Sequence, residues 1–508
     1  MEEKTFNPEE LKKLLQNQYG PGVQVEVVSQ PQSTGDAAPP PATEPPDLDF
    51  DYRPSGIKEY LDRYVIQQDD AKKVLATAIC DHYHHIQMER DSDDWRDYKK
   101  QNVLLIGPTG VGKTYLIQNI ARLIGVPFVK ADATKFSETG YVGGDVEDLV
   151  RELVSQADGA IELAERGIVY LDEVDKLASP TNSIGRDVSG HGVQRNLLKL
   201  MEETDVPLRS PTDVASQMQS FMEFQTKGKI EKQTINTRHI LFIVSGAFTG
   251  LTEIVKRRIG SKQIGFTGKK TTASEEHFLL ERVKSIDFLE YGFEAEFIGR
   301  LPVIIHCNDL SVQDLFKVLK YSEGSLLKQY KRDFLAYGID VYFTDDGMQA
   351  VAERAALERT GARGLMSVCE KAFREFKYRL PDSDVREFVV DGPLVEGPLE
   401  TLELLLANPG LHTARVRQWQ VDSVSERLRK DYGVNVAFAP QATELLGAEA
   451  DAAELTLLEH CDAKFADFAH GLTLLGQKAS DREFELTGEG AEDLSATLEK
   501  WIKESYAG

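Results

Sequence analysis

The sequence of 508 residues has few cysteines, no long apolar segment and no excess of basic charge. Its four cysteines lie far apart and form no Cys-x-x-Cys pair, which fits reduced thiols in the cytoplasm better than disulfides or a zinc site. No apolar run approaches the roughly 18 residues of a membrane span. The first residues are polar and acidic, so we expect neither a secretory signal nor a basic transit peptide. We therefore expect a cytoplasmic protein without a membrane segment.

A formal net charge of −24 at pH 7 argues against nucleic acid as the partner, because nucleic-acid-binding surfaces concentrate Lys and Arg. The hydrophobic fraction of 41% and the charged fraction of 28% are typical of a globular protein. A chain of this length is predicted to form about three domains.

The most informative stretch is residues 103–114, where four apolar residues run into the motif Gly107-x-x-x-x-Gly112-Lys113-Thr114. Apolar residues at helical spacing follow, which gives the strand, loop and helix that a phosphate-binding loop requires. The backbone N–H groups of such a loop surround the β-phosphate. Lys113 would reach the β- and γ-phosphates, and the Thr114 hydroxyl would bind Mg²⁺. The sequence therefore predicts a site for ATP and Mg²⁺.

A second apolar run ends in two acidic residues, Asp172 and Glu173. At the carboxyl end of a strand, Asp172 would hold Mg²⁺ directly or through water, and Glu173 would polarise the attacking water. Taken alone, two acids after a strand are as consistent with simple solvation of the strand end. Their position downstream of a phosphate loop favours the catalytic interpretation.

Short apolar runs at residues 127–129, 168–171, 240–244 and 303–305 alternate with helical patterns. Such strands are typical of a parallel sheet that is covered by helices on both faces, so the predicted fold class is α/β. Upstream, residues 1–28 are predicted to contain a short helix, and residues 29–53 form a Pro-rich linker.

Six ordered blocks resemble the hexameric AAA+ unfoldases, and within them the ClpX/HslU branch. The blocks are the phosphate loop and residues 64–75, 140–143, 186–190, 296–302 and 361–365. The resemblance implies an αβα large nucleotide-binding domain at residues 54–306 and a small α-helical lid domain at residues 307–396. It also implies a homo-oligomer, expected to be a hexamer with a central pore. Residues 397–508 remain as an α+β C-terminal extension.

The resemblance also implies which residues contact the nucleotide. Val65 and Ile66 stand where the family packs on adenine, although Gln67 replaces a family Gly at the next position. With the phosphate loop they complete the expected cofactor-binding set, which is Val65, Ile66, Gly107, Pro108, Thr109, Gly110, Val111, Gly112, Lys113, Thr114 and Tyr115.

Two arginines join Asp172 and Glu173 in the catalytic set that the resemblance implies. Arg300 resembles the arginine finger that reaches into the site of a neighbouring subunit, and Arg363 resembles the lid arginine that reads the γ-phosphate. A planar, delocalised charge suits the phosphoryl transition state. The alternative for either arginine is an ordinary surface charge. Ser245 falls near the first sensor position, where many relatives carry Asn.

Tyr141 and Val142, between two glycines, resemble the first pore loop, and residues 186–190 resemble the second. An aromatic ring on a glycine hinge can grip an extended polypeptide with little demand on its sequence. The alternative for Tyr141 is a buried side chain in a turn.

Ile264, Gly265 and Phe266 lie where the family carries the loop that docks on a ClpP-like peptidase. The alternative is a turn with two core anchors. The sequence departs from the family at two places: the N-terminal region has no cysteine for a zinc-binding domain, and residues 207–232 lack the basic-aromatic loop of the pore entrance. We therefore expect client preference to differ from that of the family.

The C-terminal extension contains a faint echo of the lid. Residues 432–438 resemble residues 337–343, and residues 469–472 resemble residues 362–365, which would place His470 at the position of Arg363. A degenerate second lid, with no nucleotide domain before it, would be a binding or packing module without ATP chemistry. Chance similarity is the alternative.

Together these features predict an ATP-dependent protein unfoldase and translocase that is the ATPase component of a ClpP-type protease and acts on protein substrates. The first alternative is a stand-alone remodelling chaperone that meets no peptidase. The second is a nucleotide-switched scaffold or a nucleic-acid-handling AAA+ protein, which the acidic charge disfavours.

Overall fold

The computed structural model describes residues 50–91, 99–137, 144–178, 190–208, 233–260, 278–479 and 482–507. Several predicted features lie outside these residues: the N-terminal helix, the Pro-rich linker up to residue 49, the pore-loop residues Tyr141 and Val142, nearly all of the second pore loop, and the docking residues Ile264, Gly265 and Phe266. Among the described residues, no helix is long and apolar enough to cross a membrane.

The first part of the described chain is built on a parallel sheet. Its five strands are β1 (Val103–Ile106), β2 (Phe128–Asp132), β3 (Ile168–Asp172), β6 (Leu241–Gly246) and β7 (Val303–His306). Their order across the sheet is β2-β3-β6-β1-β7, so the strand that leads into the phosphate loop lies between β6 and β7. Two short strands, β4 (Asp205–Pro207) and β5 (Thr234–Asn236), form a separate antiparallel ribbon.

Helices cover both faces of this sheet. They are α1 (Pro54–Tyr64), α2 (Asp69–Asp91), α3 (Lys113–Ile124), α4 (Asp148–Gln156), α5 (Ile161–Ala164), α6 (Gly190–Met201), α7 (Leu251–Gly260), α8 (Ser285–Tyr291) and α9 (Ala295–Gly299). Alternate residues of β1 enter different cores: Leu104 and Ile106 belong to one, and Val103 and Leu105 belong to the other. This two-sided burial explains why the strands are apolar throughout rather than alternating.

The next region has its own core and a two-stranded parallel sheet. Its elements are α10 (Val312–Tyr321), α11 (Leu326–Leu335), β8 (Asp340–Phe343), α12 (Asp345–Leu357), α13 (Ala362–Arg379), β9 (Glu387–Val390), α14 (Gly392–Glu396) and α15 (Pro398–Ala407). We call this region the lid. Leu402 and Leu405 of α15 are fully buried in the lid core, so the core continues past residue 396.

The C-terminal region has a similar order of elements around a third core, with one helix before its first strand and three between its two strands. It contains α16 (Pro409–Tyr432), β10 (Asn435–Phe438), α17 (Pro440–Ala452), α18 (Leu457–Ala466), α19 (Ala469–Ala479), β11 (Glu483–Leu486), α20 (Gly488–Glu492) and α21 (Leu494–Ala507). β10 and β11 pair in parallel, as β8 and β9 do. In each region a glycine with a left-handed backbone lies between a helix and the first strand. It is Gly338 between α11 and β8 in the lid, and Gly433 between α16 and β10 in the C-terminal region.

Helices α17 and α18 place the counterpart of Arg363 at a different residue from the one that the sequence similarity indicated. The four residues between α12 and α13 include Arg359 with a positive φ, and the four between α17 and α18 include Glu454 with a positive φ at the same place. The start of α18 therefore corresponds to the start of α13, and Leu458, rather than His470, stands where Arg363 stands. α18 and α19 together take the place of the single helix α13.

Helix α16 joins the two repeats. Its Trp419 ring stacks on Tyr342 at 4.6 Å between centroids, and the Trp419 indole donates a 2.9 Å hydrogen bond to the Phe343 carbonyl. Further along α16, Val424 and Leu428 are buried in the C-terminal core. One helix thus covers the sheet of the lid with one part and forms the core of the C-terminal repeat with another.

The outer faces of the two small sheets differ in polarity. The lid pair Tyr342 and Val389 is apolar, and Val389 is buried beneath α16. The corresponding pair in the C-terminal repeat is Ala437 and Glu485, and Glu485 is exposed to solvent.

Candidate functional site

A cavity of about 920 Å³ lies between the phosphate loop and the lid. Its size is within the range of small-molecule and cofactor pockets. Most of the predicted site residues line it: Val65, Ile66, Thr109, Gly110, Val111, Gly112, Lys113, Thr114, Tyr115, Asp172, Glu173 and Arg363. Gly107 and Pro108 lie behind them, where their carbonyls accept hydrogen bonds from the Lys113 ammonium at 2.5 and 2.8 Å.

The phosphate loop has the backbone that the motif predicts. Gly110 and Gly112 have φ of +79° and +95°, and α3 begins directly after Gly112. Gly107 also has no room for a side chain, since a Cβ there would lie 2.5 Å from the Cys307 carbonyl oxygen. Burial lowers the pKa of Lys113, while the Asp172 and Asp175 carboxylates oppose that shift. The loop therefore presents N–H groups and one partly desolvated ammonium to an anion.

Thr114 and Asp172 face each other across the base of the loop. The Thr114 hydroxyl lies 3.4 Å from Asp172 Oδ2 and 3.3 Å from the Tyr170 hydroxyl. Neighbouring oxygen ligands of an octahedral Mg²⁺ are about 3 Å apart, because each Mg–O distance is about 2.0–2.1 Å. The donor set and its spacing fit the predicted Mg²⁺ site.

Glu173 has a left-handed backbone with φ of +57°, which is rare for a residue other than glycine. Such strain is found mostly where the surrounding structure fixes a functional residue. The Glu173 side chain is exposed on the cavity wall, and its backbone N–H lies 3.1 Å from Asp172 Oδ1. Both adjacent carboxylates therefore belong to the residues that line the cavity.

Asp175 is a third carboxylate at the cavity, which the sequence analysis missed. It is buried, its Oδ1 accepts a 3.3 Å hydrogen bond from the Ala247 N–H, and its Oδ2 lies 3.6 Å from the Lys176 ammonium. A Cβ on Gly246 would approach Asp175 Oδ1 to 2.5 Å, so this packing needs glycine. The sequence signal that could have indicated Asp175 is its position three residues after Asp172, in the 3₁₀ turn Val174–Leu177.

The lid contacts the phosphate loop through backbone atoms. The Ala362 N–H donates a 2.9 Å hydrogen bond to the Gly110 carbonyl, and a Cβ on Gly110 would lie 2.0 Å from the Thr360 carbonyl oxygen. A Cβ on Gly361, which has φ of +60°, would lie 2.7 Å from the Gly110 carbonyl oxygen. Arg363 follows in the first turn of α13 and lines the cavity. This glycine-to-glycine contact was also not predicted from the sequence.

The predicted adenine side is formed by Val65 and Ile66 with apolar lid residues, among them Leu326 and Met366. The segment is held by the lid: the Ser322 hydroxyl donates to the Tyr64 carbonyl at 2.7 Å. The Gln67 backbone adopts a left-handed φ of +59°, a conformation that favours glycine, although the residue here carries a side chain.

Arg300 does not line the cavity of its own chain. It lies just before β7, its carbonyl accepts a 3.1 Å hydrogen bond from Asn102, and its guanidinium pairs with Glu202 at 2.5 Å. Asn102 precedes β1, whereas the phosphate loop follows β1, and four strand residues span roughly 13 Å. Arg300 is therefore at the end of the sheet opposite to the phosphate loop.

The comparisons with known proteins cover most of the described chain. A model of the AAA domain (Cdc48 subfamily) matches residues 98–304. The ATP-dependent Clp protease ATP-binding subunit ClpX of Borrelia duttonii is 41% identical over 334 residues, which are 65% of this chain and 75% of the relative. The protein of the same name from Borrelia recurrentis matches to the same extent. ClpX 3 of Methylococcus capsulatus is 41% identical over 359 residues, 68% of this chain and 80% of the relative.

The parallel sheet with helices on both faces, the phosphate loop and the matched AAA domain confirm the predicted AAA+ fold. Nucleotide binding and the prediction of an ATPase are confirmed by the same similarity. The relatives align along three quarters or more of their own length at 41% identity. The chain belongs to the ClpX family of AAA+ ATPases.

Proposed function

We propose that this ATPase is an ATP-dependent protein unfoldase and the ATP-binding subunit of a ClpP-type protease. The observation that carries the proposal is the cavity, where the phosphate loop, Asp172, Glu173 and the lid residue Arg363 surround one space between two separately packed regions. A nucleotide there would contact both regions, so hydrolysis can change their relative orientation. The names of the relatives agree, since each is the ATP-binding subunit of a Clp protease.

The roles of the residues follow from their positions. Lys113 would neutralise the β- and γ-phosphates, and Thr114 and Asp172 would hold Mg²⁺, which adds charge stabilisation at those phosphates. Glu173 would orient and deprotonate the attacking water. Arg363, at the start of α13, would sense whether the γ-phosphate is present.

The hydrogen bond between Ala362 and Gly110 supplies the coupling between site and lid. Because the phosphate loop touches α13 through backbone atoms, movement of the loop is transmitted without flexible side chains. The proposed sequence of events is ATP binding, lid adjustment, and movement of the Tyr141 and Val142 pore loop along a client polypeptide.

We propose further that Arg300 completes the site of a neighbouring subunit. Its distance from its own cavity supports action between chains, and a guanidinium is suited to the phosphoryl transition state. The oligomer is then a ring, for which the family resemblance implies six subunits. The cytoplasmic location stays a prediction, as do the protein clients and the peptidase-docking role of Ile264, Gly265 and Phe266.

The experiment is capture with Glu173→Gln, which should bind ATP, hydrolyse it slowly and retain clients. Proteins that copurify with this variant in ATP are identified by mass spectrometry, with Lys113→Ala as the control that should bind no nucleotide. A ClpP-like peptidase that is lost on adding Phe266→Ala supports the protease subunit. Clients without any peptidase would favour the stand-alone chaperone, and salt-sensitive DNA binding would favour the nucleic-acid alternative.

We also propose that the C-terminal region is a second lid without ATP chemistry. The similar order of elements and the positive-φ residues at equal places support the duplication. At the position of Gly361 the repeat has Thr456, which caps α18 with Glu459, and at the position of Arg363 it has Leu458. The residue at the lid's contact with the phosphate loop, Gly361, and the residue proposed to contact the nucleotide, Arg363, are therefore both replaced, so the repeat is proposed to bind or pack against proteins.

A further inference from the structure

A chain of buried hydroxyl groups ends on the Asp172 carboxylate. Tyr170 lies on β3 and Ser245 on β6, which are adjacent parallel strands. The Tyr170 hydroxyl lies 2.7 Å from Ser245 Oγ, and Ser245 Oγ lies 2.6 Å from Asp172 Oδ1. Both hydroxyl residues have no solvent exposure, so water cannot replace these bonds.

The direction of each bond in this chain can be assigned. An ionised carboxylate only accepts, so Ser245 must give its single proton to Asp172. Ser245 can then only accept from Tyr170. The Tyr170 phenol carries one proton and lies 2.7 Å from Ser245 Oγ, so Tyr170 is the donor of this bond.

These bonds fix how Asp172 is turned. Oδ1 is engaged by the Ser245 hydroxyl at 2.6 Å and lies 3.1 Å from the Glu173 N–H. Oδ2 is left facing the Thr114 hydroxyl at 3.4 Å, which is the side where the proposed Mg²⁺ would be held. Rotation of the carboxylate would break its bond to the fully buried Ser245 hydroxyl.

We infer that Ser245, supported by Tyr170, is a positioning residue that holds Asp172 with Oδ2 toward the metal and nucleotide. The inference rests on the proposed roles of Thr114 and Asp172. It also assigns Ser245 a different task from that of a γ-phosphate sensor, because its only proton is already donated to Asp172. The first sensor position is thus used here to orient a ligand of the metal.

The test is binding of a fluorescent ADP analogue to the full-length protein at increasing free Mg²⁺, starting in EDTA. Ser245→Ala removes only the hydroxyl oxygen, and Tyr170→Phe removes only the phenol oxygen, which keeps one variant available if the other folds poorly. Ser425→Ala is the matched control, since it removes a 2.6 Å serine bond to the Val436 carbonyl in the C-terminal repeat.

In EDTA, we expect both variants to bind the analogue as tightly as the unaltered protein. With Mg²⁺, Ser245→Ala should need about tenfold more Mg²⁺ to reach half of the full effect, as is typical when a group supporting a metal ligand is removed. Tyr170→Phe should shift this midpoint less and in the same direction, and Ser425→Ala should not shift it.

An unchanged Mg²⁺ midpoint in Ser245→Ala and Tyr170→Phe would overturn the inference and leave the proposed nucleotide site intact. Equal weakening of binding in EDTA and in Mg²⁺ would also overturn it, because the hydroxyls would then serve the fold alone. If the unaltered protein itself showed no Mg²⁺ effect, the proposed metal site would fall together with the inference.

Discussion

Gln67 and the residue after it show how side chains decide whether an unusual backbone is tolerated. Both have left-handed φ angles, +59° for Gln67 and +63° for Gln68. Gln68 is buried, and its amide donates to the Asn308 carbonyl at 2.8 Å and accepts from the Asn308 N–H at 2.7 Å. A left-handed residue other than glycine costs roughly 1–2 kcal/mol, which the Gln68 bonds offset locally.

Gln67→Gly should change the free energy of unfolding by less than about 1 kcal/mol, since the relief of left-handed strain is offset by the entropy that glycine gains on unfolding and by loss of the 3.2 Å bonds of the Gln67 amide to the Asp309 carbonyl and the Asp314 carboxylate. Gln68→Gly should destabilise the protein, because two hydrogen bonds to Asn308 are lost. Scanning calorimetry of the nucleotide-free protein measures both. A fall in melting temperature that is as large in Gln67→Gly as in Gln68→Gly would contradict this account.

Arg363 and Leu458 provide a second contrast, at equivalent places in the two repeats. Arg363→Ala should reduce the maximal ATPase rate tenfold or more, because a charge directed at the γ-phosphate is removed. Leu458→Ala should leave the rate unchanged, since no phosphate loop faces the start of α18. Steady-state ATPase assays test the pair, and equal losses in both variants would contradict the assignment.

Local sequence patterns predicted those site residues whose signals lie within one continuous stretch of the chain. The phosphate loop, Asp172 and Glu173 were found because strand, turn and helix signals are adjacent in sequence. Asp175, the Ser245 hydroxyl chain and the Gly110–Gly361 contact depend on segments brought together by folding. His470 was placed wrongly because the counterpart of α13 is divided into α18 and α19, so the short sequence match fell one helix too late.

At the scale of elements, α16 is the connection that makes the lid and the C-terminal repeat one unit. Trp419 is stacked on Tyr342 and bonded to the Phe343 carbonyl. Ion pairs of Lys320 with Glu426 at 3.4 Å and of Arg415 with Asp391 at 3.3 Å flank it. Such partly exposed pairs contribute little to stability, so the aromatic contact is the main attachment.

Trp419→Ala should loosen the repeat from the lid, with a loss of about 2–4 kcal/mol for a large aromatic side chain that is partly buried. Hydrogen exchange of β8 amides should accelerate, while exchange in the central sheet should not. Tyr378→Ala is a suitable control, because the Tyr378 ring is 77% exposed. Unaltered exchange at β8 would show that α16 is held by other contacts.

At the scale of the whole molecule, the proposed role of Arg300 would divide one reaction between two chains. The strand order put β1 between β6 and β7, and the arginine lies before β7 while the phosphate loop lies after β1. Sequence analysis could assign Arg300 its role only through the family resemblance. The distance along the sheet between Arg300 and the phosphate loop is an independent reason to expect that Arg300 acts in the site of a neighbouring subunit.

Mixing two inactive variants tests this division. Arg300→Ala subunits would keep Glu173, and Glu173→Gln subunits would keep Arg300, so some interfaces in a mixed oligomer would contain both groups. We expect ATPase activity to reappear on mixing, with each variant alone close to background. If both groups acted within one chain, mixing would restore nothing.

The exposed Glu485 beside Ala437 has a consequence for how the chain could have grown. In the lid, the apolar pair Tyr342 and Val389 seats the helix that begins the next repeat. A charged side chain at the corresponding place disfavours the packing of a helix there, because burying an unpaired charge costs free energy. If the C-terminal region is a second lid, as proposed, its polar outer face gives it the character of a capping repeat, on which no further helix would pack.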